Sequence, residues 1–289
     1  MDYLIKALAR EGRVRVYITN TTGVVNEAIR IHDLWPSAAS VLGKTMTIGL
    51  MMGAMLKGDE ALTIKIDGNG PIGIVIVDSN SKGHVRGYVG HNHVHFSRKS
   101  IIDDVTTLGY NGYIDVIKDL KLKDLYSSTI PIQTGDLAKD FTYYFAVSEQ
   151  TPTLTSLGVI MKEDNTAEVC GGIIIQLMPD ATESDIVYIE SKANLLNTSS
   201  RLFNDYPNLE DILKLLFADD YQILDSMNVE FRCDCNRDKF LSGIATLGAK
   251  EIDDIIEKDG KAEVVCHYCN KQYIFSVEDL NALKKGMNK

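Results

Sequence analysis

The sequence predicts an α+β protein in three parts: an N-terminal mixed sheet-and-helix domain at residues 1–179, a helical linker at 180–230 and a small C-terminal four-cysteine domain at 231–289. Three observations predict this division. β-rich runs alternate with helical segments up to residue 179, acidic amphipathic segments follow, and four of the five cysteines lie in the last fifth of the chain. A chain of 289 residues, 45% hydrophobic and 24% charged, is long enough for two folded domains.

The first part shows both periodicities that a mixed domain requires. Arg13–Thr19 alternates with period two, which predicts a strand. Helices are predicted over Ser37–Lys57, just after Pro36, and over Thr134–Glu149. The single tryptophan, Trp35, is predicted to anchor the core. Further predicted strands are Ala61–Asp67, Ile72–Asp78 and His84–Gly90, which form an antiparallel meander, and then Leu154–Lys162 and Val169–Met178.

The segment 180–230 carries most of the excess negative charge. It has three basic residues and eleven carboxylates, a net −8, whereas the whole chain carries −10 and residues 231–289 hold ten charges of each sign. Its sequence pattern predicts several short acidic amphipathic helices, one of them capped by Asn208. Because like charges repel one another in a compact state, we expect this segment to have low local stability.

Four cysteines form two close pairs, Cys233 with Cys235 and Cys266 with Cys269, separated by thirty residues. Two thiolate pairs brought together complete the closed four-sulfur shell of a structural zinc site, and CxxC is a common spacing in such sites. Two cysteines so close together are also well placed to oxidise to each other. The pattern therefore predicts zinc in the reduced chain and disulfides in the oxidised chain.

The remainder of the small domain is less distinctive. A helix is predicted near Glu251–Glu257, and a strand pair around Cys266 and Tyr273. The fifth cysteine, Cys170, lies in an apolar run, which predicts a small buried hydrophobic residue rather than a ligand.

Composition and motifs exclude several classes of protein. The N-terminus lacks a basic stretch followed by an apolar run, so no signal peptide is expected, and the apolar stretch at Met46–Leu56 is too short to span a bilayer. Paired thiols without an export signal indicate the reducing cytoplasm. No region has the basic surface that nucleic acid requires, and no acid–base couple or nucleophile motif indicates an enzyme. Nucleic-acid and membrane partners are therefore not expected.

Three patterns imitate known sites. Gly68–Gly73 matches the dinucleotide-binding string, but a predicted strand follows it where a helix is needed, so a hairpin turn is favoured. Asp78–Gly83 resembles the start of a calcium loop, but the acid required at position twelve is missing. His91, His93 and His95 alternate, so a metal is conceivable; a surface or packing role is favoured because no acidic residue follows closely.

Longer motifs surround the cysteines, and other motifs lie along the rest of the chain. They are Cys233-Asp234-Cys235, Leu247-Gly248 with Glu251, Asp259–Val264, Cys266-x-x-Cys269-Asn270-Lys271-x-Tyr273, Asp67–Gly73, Ser81–Val89, Tyr143–Pro152 and Gly171–Gln176. Together they resemble the 33-kDa chaperonin family of redox-regulated heat-shock holdases, over essentially the whole chain.

The resemblance implies a redox switch. Members of that family hold zinc with all four cysteines when reduced, and oxidation links Cys233 to Cys235 and Cys266 to Cys269 as zinc leaves. The helical linker then unfolds, and the protein binds unfolding client proteins without ATP, commonly as a homodimer. The resemblance thus implies an ATP-independent chaperone of the stress response.

Two other functions compete with this interpretation. A zinc ribbon that binds nucleic acid is disfavoured by the acidic linker and the balanced tail. A thiol oxidoreductase using Cys266 and Cys269 would have its CxxC at the start of a helix, whereas the flanking Val264-Val265 and Tyr273–Phe275 predict strands. From the residues alone, without the resemblance, a metal-stabilised binding module is the first choice.

Overall fold

A computed structural model describes residues 1–99 and 101–287. The chain forms two compact units, Met1–Arg232 and a smaller unit that begins at Cys233. The mixture of sheets and helices confirms the predicted α+β class. The three-part division remains a prediction, because the segment 180–230 lies inside the first compact unit.

The described residues of the first unit form two large sheets, a small two-stranded sheet and the helices that pack on the large sheets. In chain order its elements are β1 (Tyr3–Ala9), β2 (Val14–Asn20), α1 (Thr22–His32), α2 (Pro36–Gly53), β3 (Ala61–Asp67), β4 (Val75–Asn80), β5 (His84–Val89), β6 (Ser97–Arg98), β7 (Ile101–Ile102), α3 (Asp104–Leu108), β8 (Tyr113–Asp119), β9 (Tyr126–Pro131), α4 (Leu137–Val147), β10 (Thr153–Met161), β11 (Ala167–Leu177), α5 (Glu183–Ser191), α6 (Ala193–Leu196), α7 (Ser199–Asp205), α8 (Leu209–Phe217), β12 (Tyr221–Asn228) and β13 (Glu230–Phe231).

Helix α2 lies between the two sheets. The five-stranded sheet has the order β10-β11-β2-β1-β12, and the six-stranded sheet has the order β13-β5-β4-β3-β8-β9. All neighbouring strands are antiparallel except β13 and β5. Nearly every residue of α2 is buried, so its apolar and small side chains form the centre of the larger core.

The acidic segment covers the opposite face of the five-stranded sheet. Alternate side chains of the sheet point away from α2 and form a second core with the apolar faces of α5–α8. Glycines bring α7 close to the sheet: a Cβ on Gly158 would lie 2.4 Å from Ser200 N, and one on Gly171 would lie 2.7 Å from the Phe203 ring. The buried members of this second core are Ile5, Ala7, Ala9, Val14, Val16, Ile18, Val169, Ile173 and Ile175 from the sheet, and Ile189, Leu196, Leu202, Phe203, Leu209, Ile212, Leu213, Leu216 and Phe217 from the helices.

A buried ion pair holds α5 against the β1–β2 hairpin. Asp185, which is fully buried, accepts from Arg10 Nε at 3.0 Å and from Arg13 Nε at 2.8 Å. Its Oδ2 also accepts from the backbone N–H and the hydroxyl of Thr182, in a capping box at the start of α5. The Arg13 guanidinium, helped by Thr182 and Arg10, holds the pKa of Asp185 well below its usual range despite burial. The most acidic segment of the chain is therefore held partly by two cations of the hairpin.

The second unit has a small core. Its elements are α9 (Arg237–Ala245), α10 (Ala249–Asp259), β14 (Lys261–Val265), β15 (Gln272–Ser276) and α11 (Val277–Met287). β14 and β15 form an antiparallel pair, and the helices pack on it. Its buried core cluster contains six of the described residues, and Cys266 is buried beside the other cysteines; the six are Ile244, Ile252, Ala262, Tyr273, Phe275 and Leu280. So small a core requires reinforcement, which in natural domains of this size a metal or a disulfide commonly supplies.

Most predicted elements are confirmed with shifted ends. The predicted helix Ser37–Lys57 is α2, Thr134–Glu149 is α4, and the strand predicted at Ile72–Asp78 is β4, which begins at Val75. The prediction that the whole segment 180–230 is helical is wrong for Tyr221–Asn228, which forms β12. Pairing with β1 decides its structure, a long-range contact that local periodicity does not reveal.

The prediction that Trp35 anchors the core is wrong. Trp35 is 47% exposed and precedes α2, where its ring stacks on His93 with the centroids 5.2 Å apart. The apolar interior near this end of α2 is filled by Leu34, Ala38 and Ala39 instead.

We expect Asp185→Asn to loosen α5–α8 from the sheet, because Arg10 and Arg13 would lose their shared counter-charge. Limited proteolysis on heating should cut the segment 180–217 at a temperature several degrees lower than in the wild type. Asp219→Asn, which removes the same charge from an exposed position, is the matched control and should not lower that temperature. Because the pKa of Asp185 is lowered on folding, its contribution to stability is present above about pH 4 and should be lost as the pH falls further. Equal cleavage temperatures for both variants would contradict this role.

Candidate metal centre

The four paired cysteines come from two loops of the second unit. Cys233 and Cys235 lie in the irregular stretch that precedes α9, whose N-cap residue Asn236 accepts a hydrogen bond from Lys239 N at 2.9 Å. Cys266 and Cys269 lie in the turn between β14 and β15. The turn suits two ligands, because its backbone closes tightly and the two sulfurs lie within 4.8 Å of each other.

Backbone hydrogen bonds shape this second loop. Cys266 O accepts from Asn270 N at 2.8 Å, and Cys266 N donates to Lys271 O at 3.0 Å. Asn270 adopts a φ of 57°, in the left-handed region that asparagine tolerates better than most residues. The strand that follows is β15, so the CxxC motif stands between two strands, as the sequence predicts.

The four sulfurs converge at one point. Cys233 Sγ lies 3.7 Å from Cys266 Sγ, and Cys235 Sγ lies 3.4 Å from Cys269 Sγ. All four sulfur atoms lie within 4.8 Å of one another, and this is the group of potential metal ligands found among the described residues. A tetrahedron with metal–sulfur distances of about 2.3 Å has edges of about 3.8 Å. The arrangement therefore fits a four-thiolate metal site of zinc type.

Burial and hydrogen bonding shift the pKa values of the cysteine thiols in different directions. Burial raises the pKa of Cys266 and of Cys269. Burial also acts to raise the pKa of Cys235, but hydrogen bonds with Tyr273 and with the other sulfurs outweigh it and lower that pKa. Without a cation, four negative charges could not remain together in this space. Metal binding would hold all four as thiolates and would release their protons.

The hydroxyl group of Tyr273 also reaches the cysteines, a contact that the sequence does not predict. It lies 3.2 Å from Cys235 Sγ and 3.0 Å from Cys235 O, and the hydrogen bond to the sulfur raises the pKa of Tyr273 to about 12. Its only signal in the sequence is its position on the strand after the CxxC motif, which does not identify its partner.

The other candidate residues do not join this centre. Cys170 is fully buried in the first unit, where its sulfur lies 3.4 Å from Thr47 Oγ1, and burial raises its thiol pKa. This confirms Cys170 as a packing residue.

The three alternating histidines face three different partners. His91 Nδ1 lies 2.9 Å from Pro71 O, His93 Nε2 lies 2.8 Å from Asp33 Oδ2, and His95 Nδ1 lies 3.2 Å from Ser37 Oγ. Their ring nitrogens serve separate contacts near the start of α2, which agrees with the surface or packing role that the sequence favours. In addition, Gly68–Gly73 joins strand β3 to strand β4, as expected for a turn rather than a nucleotide loop.

The similarity of this chain to known proteins extends over nearly its whole length. A family model described as Hsp33 protein matches residues 2–276. This chain belongs to the Hsp33 family. The 33 kDa chaperonin of a Geobacillus species is 47% identical over 287 residues, with 98% of this chain and 97% of the relative covered. The Bacillus subtilis 33 kDa chaperonin is 45% identical over 286 residues, with 98% of each chain covered.

The fold also resembles a solved member of the family. The crystal structure of the 33 kDa chaperonin from Thermotoga maritima, a heat shock protein 33 homologue, gives a TM-score of 0.89 at 33% identity and covers 98% of each chain. The family that the sequence motifs indicated is therefore confirmed. Among the described residues, no helix combines the length and the apolar character needed to cross a membrane.

We expect the reduced protein to bind one thiophilic metal ion per chain, and Cys266→Ser to abolish this binding because a fully formed tetrahedral shell loses one of its four ligands. Cys170→Ala is the matched control: it also removes a thiol, but from a site without other sulfurs, and should keep the metal. Elemental analysis of each protein, purified under reducing conditions, measures the metal content per chain. Metal-free wild-type protein, or equal metal loss in the two variants, would contradict the assignment.

Proposed function

We propose that this protein is a redox-regulated, ATP-independent molecular chaperone of the cytoplasm. In the reduced state Cys233, Cys235, Cys266 and Cys269 hold one zinc ion, and the protein is inactive. Oxidation forms two disulfides, zinc leaves, the linker unfolds, and the protein holds unfolding clients and prevents their aggregation. The observation that carries this proposal is the convergence of four sulfurs in a member of the Hsp33 family.

The small core of the second unit supports the first step. Zinc binding contributes about 10–16 kcal/mol in zinc-finger peptides, and for a domain that folds around its metal this is folding free energy. Six buried core residues cannot replace a contribution of that size. When the metal leaves, the second unit should lose its structure.

The chain between α8 and the second unit pairs with β1 but buries little side-chain surface. Arg232, the residue before Cys233, follows β13, which has two residues, and β13 follows β12. Of the eight residues of β12, six are exposed, including Ile223 and Leu224. A strand with little buried surface opposes unfolding only weakly, so disorder that begins at Cys233 can extend toward α8.

Release of α5–α8 would uncover a broad apolar surface. The outer face of the five-stranded sheet carries buried Val16, Ile18, Ile173 and Ile175, which now contact the apolar faces of these helices. A contiguous apolar face of this kind is what an unfolding polypeptide binds. We propose that it serves as the client surface, together with the apolar side chains of the released helices, and that activated chains associate as homodimers. Nucleic acid, membranes and catalysis have no part in this proposal.

The disulfide pairing remains a prediction that the proximity of the sulfurs does not decide. We propose Cys233–Cys235 and Cys266–Cys269, yet the sulfurs of Cys233 and Cys266, and of Cys235 and Cys269, already lie 3.7 and 3.4 Å apart. Chain spacing favours the proposed pairs, because neighbours in sequence remain close after the unit unfolds and cross-pairs separate. Peptide mapping of the oxidised protein distinguishes the two patterns.

One experiment tests the function directly. Peroxide at mild heat should release zinc, which a chromophoric chelator detects. In the same tube, the oxidised protein should then begin to prevent the aggregation of a thermally unfolding client. ATP should have no effect. Suppression that is equally strong with reduced, zinc-loaded protein, or zinc release without any suppression, would contradict the proposal.

Charge within the linker provides a second test. Asp205 and Asp219 are exposed acids of the segment, and their joint replacement by asparagine should reduce repulsion and make activation require harsher oxidation or more heat. Asp220 is unsuitable, because its carboxylate lies 3.4 Å from Arg10 Nη1 and contributes to holding the segment. Added salt should act on the wild type in the same direction as the replacements, by screening.

The comparison must be made at equal zinc release, so that a change in metal affinity does not imitate the effect. If the double variant becomes active as readily as the wild type, the linker charge has no role in the switch.

A further inference from the structure

Contacts of its aromatic ring hold Tyr273 beside the sulfur cluster. The residue lies on β15 and is 8% exposed, and its ring packs on Phe240 with the centroids 4.9 Å apart. Lys271 Nζ lies 5.3 Å from the centre of the same ring. Phe240 and Lys271 therefore both contact the ring, and its hydroxyl is directed at Cys235, 3.2 Å from the sulfur and 3.0 Å from the carbonyl oxygen.

The hydroxyl has one proton and two acceptors. While Cys235 is a thiol, its S–H can donate to the tyrosine oxygen and the tyrosine O–H can donate to Cys235 O, so that each group is satisfied. When Cys235 is a thiolate, it has no proton to donate and its negative charge makes it the stronger acceptor. The O–H group then turns to the sulfur, which requires only rotation about the C–O bond.

We propose that Tyr273 donates a hydrogen bond to the Cys235 thiolate in the reduced, metal-bound protein, and that this bond restrains Cys235 from reacting with peroxide. Tyr273 is thus a positioning residue that sets how much oxidant the switch requires. The inference rests on the proposed function, because it concerns the regulation of the same four-cysteine centre.

The reaction that the hydrogen bond opposes begins at the sulfur. A cysteine thiolate attacks one oxygen of hydrogen peroxide, an S–O bond forms, the O–O bond breaks, and the departing hydroxide takes up a proton to become water. A second thiolate attacks the resulting sulfenic acid, an S–S bond forms, and a second hydroxide leaves and becomes water. Two thiolates, one peroxide and two protons thus give one disulfide and two waters. The disulfide sulfurs no longer carry the negative charge that holds zinc.

A hydrogen bond to a thiolate withdraws electron density from the sulfur lone pair. In thiol reactions, nucleophilicity changes by about 0.4–0.5 logarithmic unit for each unit of basicity. A hydrogen bond that changes sulfur basicity by about one unit therefore slows attack about threefold. Since the metal already keeps the sulfur deprotonated, loss of the bond changes only its reactivity, and the rate must rise.

Full-length Tyr273→Phe, loaded with zinc, provides the test. The substitution keeps the ring against Phe240 and removes one oxygen atom, and Tyr110→Phe, at an exposed tyrosine of the first unit, is the matched control. Zinc release is followed with a chromophoric chelator at several peroxide concentrations, and the slope against peroxide separates oxidation from passive metal loss. We expect a steeper slope for Tyr273→Phe, by less than threefold because the other cysteines of the cluster also react, and an unchanged slope for Tyr110→Phe.

A second measurement needs no variant. Wild-type protein treated with less than one equivalent of peroxide, in the presence of a reagent that traps sulfenic acids, should carry less label on Cys235 than on the other cysteines of the cluster. An equal or shallower slope for Tyr273→Phe, or first labelling at Cys235, would overturn the inference alone. Failure of wild-type protein to release zinc with peroxide would overturn the proposed function as well.

Discussion

Four sulfur atoms of the second unit lie within 4.8 Å of one another, and the proposed function makes the structure of that unit depend on them. Four thiolates cannot remain so close without a cation, and six buried core residues are too few to hold the surrounding helices and strands by themselves. The same atoms are among the few groups in a protein that an oxidant changes covalently. Stability and sensitivity to oxidation therefore reside in one place, which makes the unit suitable as a switch.

Electrostatic forces act on the linker in opposite directions. Its net −8 charge favours expansion, while Arg10 and Arg13 of the β1–β2 hairpin attract the buried Asp185 at its beginning. Apolar contacts with the five-stranded sheet provide the remaining attraction. A segment balanced in this way is docked in the folded chain, and we propose that loss of the metal releases it.

The sequence predicted best those features that depend on local spacing. The convergence of Cys233, Cys235, Cys266 and Cys269 was predicted from their spacing alone, and the strand–turn–strand arrangement around Cys266 and Cys269 was predicted from flanking β-rich residues. Features that depend on long-range contact were not predictable. β12 is a strand because it pairs with β1, more than 200 residues away in sequence.

The surroundings of individual side chains could not be predicted from the sequence either. Trp35 is exposed because the interior near it is already filled by Leu34, Ala38 and Ala39, and hydrophobicity alone could not show this. The contact of Tyr273 with Cys235 joins residues 38 positions apart, and no pattern of spacing indicates it. The charge pattern indicated that the linker is acidic, but not that Asp185 is buried between two arginines.

We propose that loss of the metal releases the chain from α5 to β13, while the rest of the first unit stays folded. Hydrogen–deuterium exchange, measured on the zinc-loaded reduced protein and on the peroxide-treated protein at one temperature, tests this claim most directly. Amides of 183–231 and of the second unit should lose protection together with zinc, while α2 and strands β3, β4, β5, β8 and β9 should keep theirs. Chaperone activity that appears while 183–217 remains protected would contradict it.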